Sequence, residues 1–215
     1  MFEPKKGVVQ RYVFDLSPYG AHMKIISYVS KNKKVLDVGC ATGYLAKQMK
    51  KNGCHIVGIE IDEEAAKIAR NFCDEVIVCD VEEIKELNYP NGFFDVTVYA
   101  DILEHIKRPD LLLTKFKKYL APNGYVVASI PNVARFSTRI GLLFGKFKYE
   151  DAGIIDITHL RFFTLKTAKQ LFKTTLYKIE KIDYTGHFTD RLKFTKILPT
   201  WFACQFIIIA RPIIT

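Results

Sequence analysis

The chain has 215 residues, 49% of them hydrophobic and 26% charged, a composition that suits one folded domain and excludes disordered or fibrous classes. Its net charge of +9 favours anionic partners, although a lysine-rich solvated surface is the simpler interpretation. Five scattered cysteines without metal-binding spacing predict reduced thiols and a cytoplasmic location. The sequence shows neither a secretory signal nor an apolar run long enough to span a membrane.

Strand-like and helix-like segments alternate from residue 17 to residue 130. Helices are predicted at 17–30, 44–53 and 62–72, and β-branched strands at 34–38, 55–61, 75–81, 93–100 and 124–130. After the fourth strand we expect a helix that Pro109 interrupts or ends. Strands separated by helices predict a parallel sheet, because parallel neighbours need crossover connections of this length.

The alternation of strand-like and helix-like segments ends after Pro131. Residues 131–163 exceed a routine connection, which indicates a lid or substrate-binding element. A helix at 166–174 and strands at 177–184 and around 204–210 follow, and with no helix expected between these two strands they favour an antiparallel pair. We therefore predict an α/β fold, with a single Rossmann-like doubly wound sheet of about seven mostly parallel strands, an antiparallel last strand and helices on both faces. One domain, 1–215, would comprise a cofactor-binding core (17–130), the 131–163 excursion and a C-terminal part (164–215).

The stretch "DVGCATG", residues 37–43, lies between a strand and a helix. Gly39 and Gly43 allow the backbone to approach a nucleotide-like ligand, although a tight turn without a ligand is the alternative. The dinucleotide fingerprint is not met, because Ala41 and Tyr44 occupy its second and third glycine positions. Asp37 favours a ligand that carries an ammonium or sulfonium group over a diphosphate.

Two further acids end the next strands. Glu60 ends the second strand, where a carboxylate can accept hydrogen bonds from two ribose hydroxyls, and Asp80 ends the third, where it can accept from a purine amino group. With Asp37, they are expected to converge on the crevice at the carboxyl ends of the strands.

Five motifs in this order resemble the class I S-adenosylmethionine-dependent methyltransferases over roughly residues 30–132. They are "VLDVGCATGYLA", "VGIEIDEEAAKIAR", "VCDVEEI", "FDVTVYADILEHIKRP" and "GYVVASIPN". The resemblance implies S-adenosylmethionine as cofactor and S-adenosylhomocysteine as product. It places the methionine part on Asp37, Gly39, Cys40, Ala41 and Gly43, the ribose on Glu60 beside Ile61, the adenine on Asp80 and Val81, and the cofactor against the backbone of Ala100.

The later part of the chain is similar to a narrower group of small-molecule enzymes like the ubiquinone-biosynthesis O-methyltransferases. The chain departs from the family pattern at two places. Ala41 replaces the commoner glycine, and Leu176 with Tyr177 replaces the usual Gly-Phe before the sixth strand. The second departure is expected to affect packing more than chemistry.

A general base for methyl transfer to oxygen is sought among the histidines. Asp101, Glu104 and His105 are expected to share one face at a helix start, and His105 is the first candidate, with His159 in the excursion the second. Capping or packing is the alternative role for His105. In some related methyltransferases a Glu-x-x-Glu-His cluster and a distant histidine bind a divalent metal, and Asp101, Glu104, His105 and His159 match it with Asp in first place. Mg, Mn or Zn would suit such a set, but we assign no metal ligand.

The basic-apolar segment, residues 135–149, alternates large apolar and basic side chains. It is interpreted as core with a solvated basic edge, the alternatives being an acceptor pocket or a membrane contact. The function predicted is methyl transfer from S-adenosylmethionine to a hydroxyl oxygen of a small-molecule acceptor. Anionic and lipid-linked molecules are the candidate acceptors, and no obligate nucleic-acid partner is expected. An NAD-dependent oxidoreductase or epimerase and a non-catalytic cofactor-binding subunit remain the alternatives.

Overall fold

The computed structural model describes residues 17, 20–186 and 198–213. The strands are β1 Lys34–Val38, β2 His55–Glu60, β3 Glu75–Val78, β4 Phe94–Ala100, β5 Leu120–Pro131, β6 Tyr177–Thr185 and β7 Gln205–Pro212. The α-helices within these residues are α1 Ala21–Val29, α2 Tyr44–Lys51, α3 Glu63–Ala69, α4 Pro109–Phe116, α5 Phe136–Leu143, α6 Leu165–Thr174 and α7 Pro199–Phe202. Short 3-10 turns occupy Leu103–His105 and Lys117–Tyr119.

The seven strands form one sheet in the order β3-β2-β1-β4-β5-β7-β6. Strands β1 to β5 run parallel, and β7 is antiparallel to both β5 and β6. The predicted mixed sheet with an antiparallel last strand is confirmed. The chain builds outward from β1 to β3 and then returns to β4 on the other side of β1. The loops that follow β1 and β4 therefore diverge, which opens a crevice at the carboxyl edge of the sheet.

Helices cover both faces of the sheet because alternate strand residues point to opposite sides. Leu36 and Val38 of β1 belong to the apolar cluster packed by α4 and α6, whereas Val35 belongs to the cluster packed by α1 and α2. Both clusters are closed to water, so the central strands read as nearly continuous apolar runs.

Two local expectations are wrong. Pro109 does not interrupt a helix but begins α4, where its missing N–H costs no hydrogen bond and its fixed φ suits the first turn. A helix does lie between the last two strands, because α7 begins at Pro199 shortly before β7.

The basic-apolar segment also differs from its interpretation as core. It contains α5, in which only Thr138 is buried, and its large apolar side chains are exposed. The helix ends where Gly145 adopts a left-handed φ of 68°, and Lys146 N–H then donates to the Gly141 carbonyl. This segment therefore stands out from the sheet instead of completing the core.

The two departures from the family pattern share one backbone property. Ala41 has a φ of 48° and Leu176 a φ of 57°, both in the left-handed region that glycine enters without strain. Glycine is commoner at these positions for a conformational reason, and the chain keeps the conformation with a side chain present.

Candidate active site

A cavity of about 1050 Å³ opens at the carboxyl edge of the sheet. Its walls come from the ends of β1, β2, β4 and β5, from the loop after β3, from the start of antiparallel β7 and from residues of the 131–163 excursion. Ligand pockets usually hold roughly 300–1,000 Å³. The cavity therefore has room for a nucleoside cofactor and an acceptor side by side.

Six of the predicted cofactor residues line this cavity: Gly39, Glu60, Ile61, Asp80, Val81 and Ala100. They reach it because parallel strands end at the same edge. Ile61 has 66% of its surface exposed, which leaves an apolar side chain available beside the carboxylates. These six residues thus combine two acids with apolar groups, a set that suits an adenosine.

The other predicted cofactor residues lie behind the lining. Cys40 and Ala41 are buried, and the Ala41 N–H donates to the Glu60 carboxylate at 2.8 Å. A Cβ at Gly43 would lie 3.0 Å from the Ala69 Cα, so Gly43 lets α2 approach α3 and does not itself open a path to the ligand. These residues therefore support the loop from the side away from the cavity, whereas Gly39 lies at the cavity surface.

Glu60 organises the same loop. Its carboxylate accepts hydrogen bonds from the backbone N–H groups of Ala41, Ile61 and Asp62 at 2.8, 2.9 and 2.9 Å. A carboxylate offers about four lone-pair positions, so this arrangement leaves capacity for a ligand hydroxyl. Glu60 therefore ties the first loop to the second while facing the cavity.

Asp37 differs from the expectation that all three acids converge on the crevice. It lies within β1, it is completely buried, and neither carboxylate oxygen has a hydrogen-bond partner among the residues that the structure describes. Burial and, secondarily, the nearby Glu60 carboxylate raise the pKa of Asp37 to about 7. An unpartnered buried carboxylate beneath the loop fits a cationic group of the cofactor.

Cys40 faces the core instead of the cavity. A Cβ at Gly58 of β2 would lie 2.5 Å from the Cys40 sulfur and 3.3 Å from the Cys73 sulfur. Gly58 thus leaves the space in which these two thiols meet, and both cysteines are free, as are the other three.

Asp101 does not share a helix face with Glu104 and His105, contrary to expectation. Asp101 has a φ of 51°, and the turn from Leu103 to His105 is a 3-10 turn and not an α-helix. Its carboxylate accepts from the Ser129 hydroxyl at 2.7 Å and the Gln205 amide at 2.8 Å. Asp101 therefore belongs to a network with β5 and β7.

Glu104, His105 and His159 come together in the cavity wall. Their ligand-type atoms all lie within 4.8 Å of one another, and the two imidazole rings meet edge to face with centroids 4.8 Å apart. Glu104 is buried, and neither of its oxygens has a hydrogen-bond partner within the described residues; His159 Nε2 lies 4.0 Å from Oε1. The fold thus joins residues separated by more than 50 positions.

Both imidazoles are oriented by backbone carbonyls. His105 Nδ1 lies 3.2 Å from the Thr158 carbonyl oxygen and His159 Nδ1 lies 3.3 Å from that of Ile154, so each Nδ1 is assigned as the N–H donor and each Nε2 as unprotonated. Burial and then the neighbouring His105 lower the pKa of His159. Burial, followed by Asp101 and Asp156, raises the pKa of Glu104 well above its usual range.

Sequence reasoning missed several lining residues. The His22 ring of α1 packs at a tilt against the Tyr44 ring with centroids 4.8 Å apart, and both residues line the cavity, as does Gln205 at the start of β7. His22 and Gln205 lie in no local motif, and only the packing of distant elements brings them to the site.

Comparison with known proteins identifies the family. Residues 14–181 match the family described as methyltransferase domain, so the chain belongs to that family. Solved structures with the same fold include a SAM-dependent methyltransferase from Archaeoglobus fulgidus, with a TM-score of 0.64, 20% identity and coverage of 87% of this chain and 90% of that one. A SAM-dependent methyltransferase from Methanosarcina mazei has a TM-score of 0.65 at 18% identity, covering 94% and 100%.

Curated relatives match about half of the chain. The ubiquinone biosynthesis O-methyltransferase of Pectobacterium atrosepticum is 35% identical over 104 residues, which are 46% of this chain and 43% of the relative. The protein of the same name from Aliivibrio fischeri is 32% identical over 119 residues, 50% of each chain. The chain thus spans about half the length of these relatives. Together with the family match, they confirm the class of S-adenosylmethionine-dependent methyltransferases and its cofactor.

Across the part of the chain that the structure describes, no helix combines the length and apolarity that crossing a bilayer would require.

Proposed function

We propose that the protein transfers the methyl group of S-adenosylmethionine to a hydroxyl oxygen of a small-molecule acceptor. The observation that carries this proposal is the single cavity that joins the acids at the ends of β2 and β3 to the pair His105 and His159. The names of the curated relatives support oxygen as the acceptor atom. The family match favours methyl transfer over the NAD-dependent alternative.

The cofactor assignment follows the cavity lining. Asp37 would stabilise the cationic methionine part from beneath the loop, Glu60 would accept from the ribose hydroxyls, and Asp80 with Val81 would contact the adenine. Asp80 has one carboxylate oxygen committed to the Glu82 N–H at 2.8 Å, which holds the side chain in place and leaves its other oxygen for a ligand. When bound, the cofactor supplies an electrophilic methyl carbon.

His105 is the proposed general base. Its Nδ1–H is held by the Thr158 carbonyl, which leaves the Nε2 lone pair to take the acceptor's hydroxyl proton as oxygen attacks the methyl carbon. The Thr158 hydroxyl also donates to Asp156 at 2.6 Å, so the loop that orients His105 is itself braced. His159 would position the acceptor or share the proton.

A second chemistry is favoured by Glu104. Two imidazoles with unprotonated Nε2 atoms and Nδ1–H groups held by carbonyls, beside a buried carboxylate that accepts no hydrogen bond from the described residues, would form the donor set of a divalent cation site. Glu104, His105 and His159 would hold such a cation, whereas the Asp101 carboxylate is committed elsewhere. A bound cation would lower the pKa of an acceptor hydroxyl, which would relieve His105 of proton removal.

Basic residues favour an anionic acceptor. Lys107, Arg135, Lys146 and Lys148 all line the cavity, on the side formed by the loop after β4 and the basic-apolar segment. They would attract a carboxylate or phosphate on the acceptor and orient its hydroxyl toward the histidines.

The acceptor is tested by incubating the protein with isotope-labelled S-adenosylmethionine and a cell extract and identifying the labelled product. We expect a methyl ether on an anionic small molecule. A methylated amine or macromolecule would refute the acceptor assignment, and a calorimetric titration without S-adenosylhomocysteine binding would refute the cofactor assignment.

Two variants, Glu104→Gln and His105→Ala, distinguish general-base catalysis by His105 from catalysis by a bound cation. If His105 acts as base, His105→Ala lowers kcat by about 10²–10⁴-fold, and chelation leaves activity unchanged. If a cation is bound, calorimetry with Zn or Mn alone detects a site that Glu104→Gln weakens, and a chelator abolishes activity until metal is restored. Full methyl-transfer activity in both variants would refute both chemistries, whereas cofactor binding without methyl transfer by the wild type would support the non-catalytic alternative.

A further inference from the structure

The basic-apolar segment, residues 135–149, carries exposed apolar side chains that the proposed reaction does not use. Sixteen large hydrophobic side chains are exposed in the described residues, and seven of them lie here: Phe136, Ile140, Leu142, Leu143, Phe144, Phe147 and Tyr149. Leu143 and Phe144 are 75% and 71% exposed. Exposed apolar clusters of this kind mark interaction surfaces.

Packing explains which part of the segment projects. The Phe136 ring lies 6.3 Å from Trp201 of α7, and the Arg139 guanidinium covers the Trp201 ring at 4.5 Å. These contacts hold the first turns of α5 against the domain. The end of the helix, with Leu143 and Phe144, stands free of them before the chain turns at Gly145.

The charges of the segment are of one sign. Arg135, Arg139, Lys146 and Lys148 interleave with the apolar side chains, and residues 135–149 include no acid; Glu150 and Asp151 follow directly. An apolar ridge flanked by basic groups is complementary to an anionic lipid surface, which offers an apolar interior beneath negative headgroups. A symmetric contact with a second copy would instead bring the four basic residues of each chain together.

The segment is also a wall of the cavity. Arg135, Thr138, Gly141, Lys146 and Lys148 line it, so the same segment has one side toward the site and another toward solvent. We infer that this segment docks the protein on an anionic membrane surface, with Leu143 and Phe144 inserted among the lipids and the cavity mouth held at the headgroups. This inference does not depend on the reaction, because docking requires neither cofactor nor acceptor.

The test is sedimentation of the full chain with vesicles of phosphatidylcholine alone or mixed with phosphatidylglycerol. We expect binding to the anionic vesicles at least about tenfold tighter than to neutral ones, because each basic side chain near the surface contributes. That preference should fall as salt is raised. No sedimentation with anionic vesicles, or equal binding to both compositions, would overturn the inference.

Variants locate the contact. Leu143→Ser with Phe144→Ser should weaken binding by about tenfold or more, since both side chains lose most of their apolar surface. The matched control is Leu111→Ser with Ile213→Ser, which removes side chains exposed by 52% and 46% elsewhere and should bind as the wild type does. Circular dichroism verifies that both variants fold. Equal loss in the two variants, or a dimer in sedimentation velocity that only Leu143→Ser with Phe144→Ser dissociates, would contradict membrane docking.

Discussion

Replacing Asp37 by Asn is expected to change how the stability of the cofactor-free protein depends on pH. Asp37 is completely buried in β1, and its carboxylate oxygens have no hydrogen-bond partner in the described part of the chain. An ionised carboxylate in this position is costly because neither water nor a donor stabilises its charge. Asn has nearly the same shape and no charge to lose.

The magnitude follows from the pKa of Asp37, which burial and Glu60 raise from its ordinary value of 3.8 to about 7. One pKa unit corresponds to about 1.4 kcal/mol, so the full difference is worth about 4 kcal/mol. Below pH 3.8 the carboxyl is neutral in the folded and unfolded states and costs nothing. As pH rises the unfolded chain ionises first, so this group lowers the free energy of unfolding progressively until about pH 7, where the loss is complete.

Urea unfolding at several pH values between 4.5 and 8.5 measures this difference. The advantage of Asp37→Asn over the wild type should grow by about 3 kcal/mol across this range, because about 1 kcal/mol of the difference is already present at pH 4.5. Asp95→Asn, which removes a half-buried carboxylate from β4, is the control. A difference between Asp37→Asn and wild type that stays constant with pH would refute the reasoning.

The cofactor complex gives the same residue a second readout. If the ammonium of the cofactor lies near Asp37, S-adenosylhomocysteine should bind the wild type more tightly as pH rises toward 7. Asp37→Asn should weaken this binding by about tenfold or more and remove the trend. A variant that binds as the wild type does would show that Asp37 serves the fold alone.

Three further predictions concern backbone and packing. Leu176→Gly should raise the free energy of unfolding by about 0.5–1 kcal/mol, because a left-handed φ strains leucine by more than glycine's flexibility costs; lower stability in urea would contradict this. Gly58→Ala should lower it by about 1–3 kcal/mol, since the added Cβ would lie 2.5 Å from the Cys40 sulfur. Cys40→Ala in the same chain should restore most of that loss, and failure to do so would place the strain elsewhere. Glu60→Gln should destabilise even the cofactor-free protein by about 1–2 kcal/mol, through its three backbone donors; unchanged unfolding would mean that Glu60 only binds ligand.

Much of the cofactor half was predictable because its signals are local. The strand at 34–38 was predicted with the bounds of β1, and Glu60 and Asp80 were expected at the edge where they lie. Apolar periodicity marks each strand, and a residue that follows a parallel strand is carried to the ligand edge by topology.

Other expectations failed because contacts between distant parts of the chain overrode the local pattern. Asp101 was grouped with Glu104 and His105 by helical spacing, but the positive φ of Asp101 and its hydrogen bonds to Ser129 and Gln205 separate it from them. The basic-apolar segment was assigned to the core because its composition is apolar, yet the sheet already has both faces covered without it.

The sequence by itself determined the alternating elements, the family and the position of Glu60 and Asp80 at the ligand edge, because short-range periodicity, local motifs and strand-end position encode them. Only the tertiary structure decided that Asp37 lies beneath the loop without a partner, that Glu104 and His105 meet His159, and that Leu143 and Phe144 remain exposed. Burial and pairing depend on which distant segments reach the same point in space. That information belongs to the packed chain and to no single stretch of it.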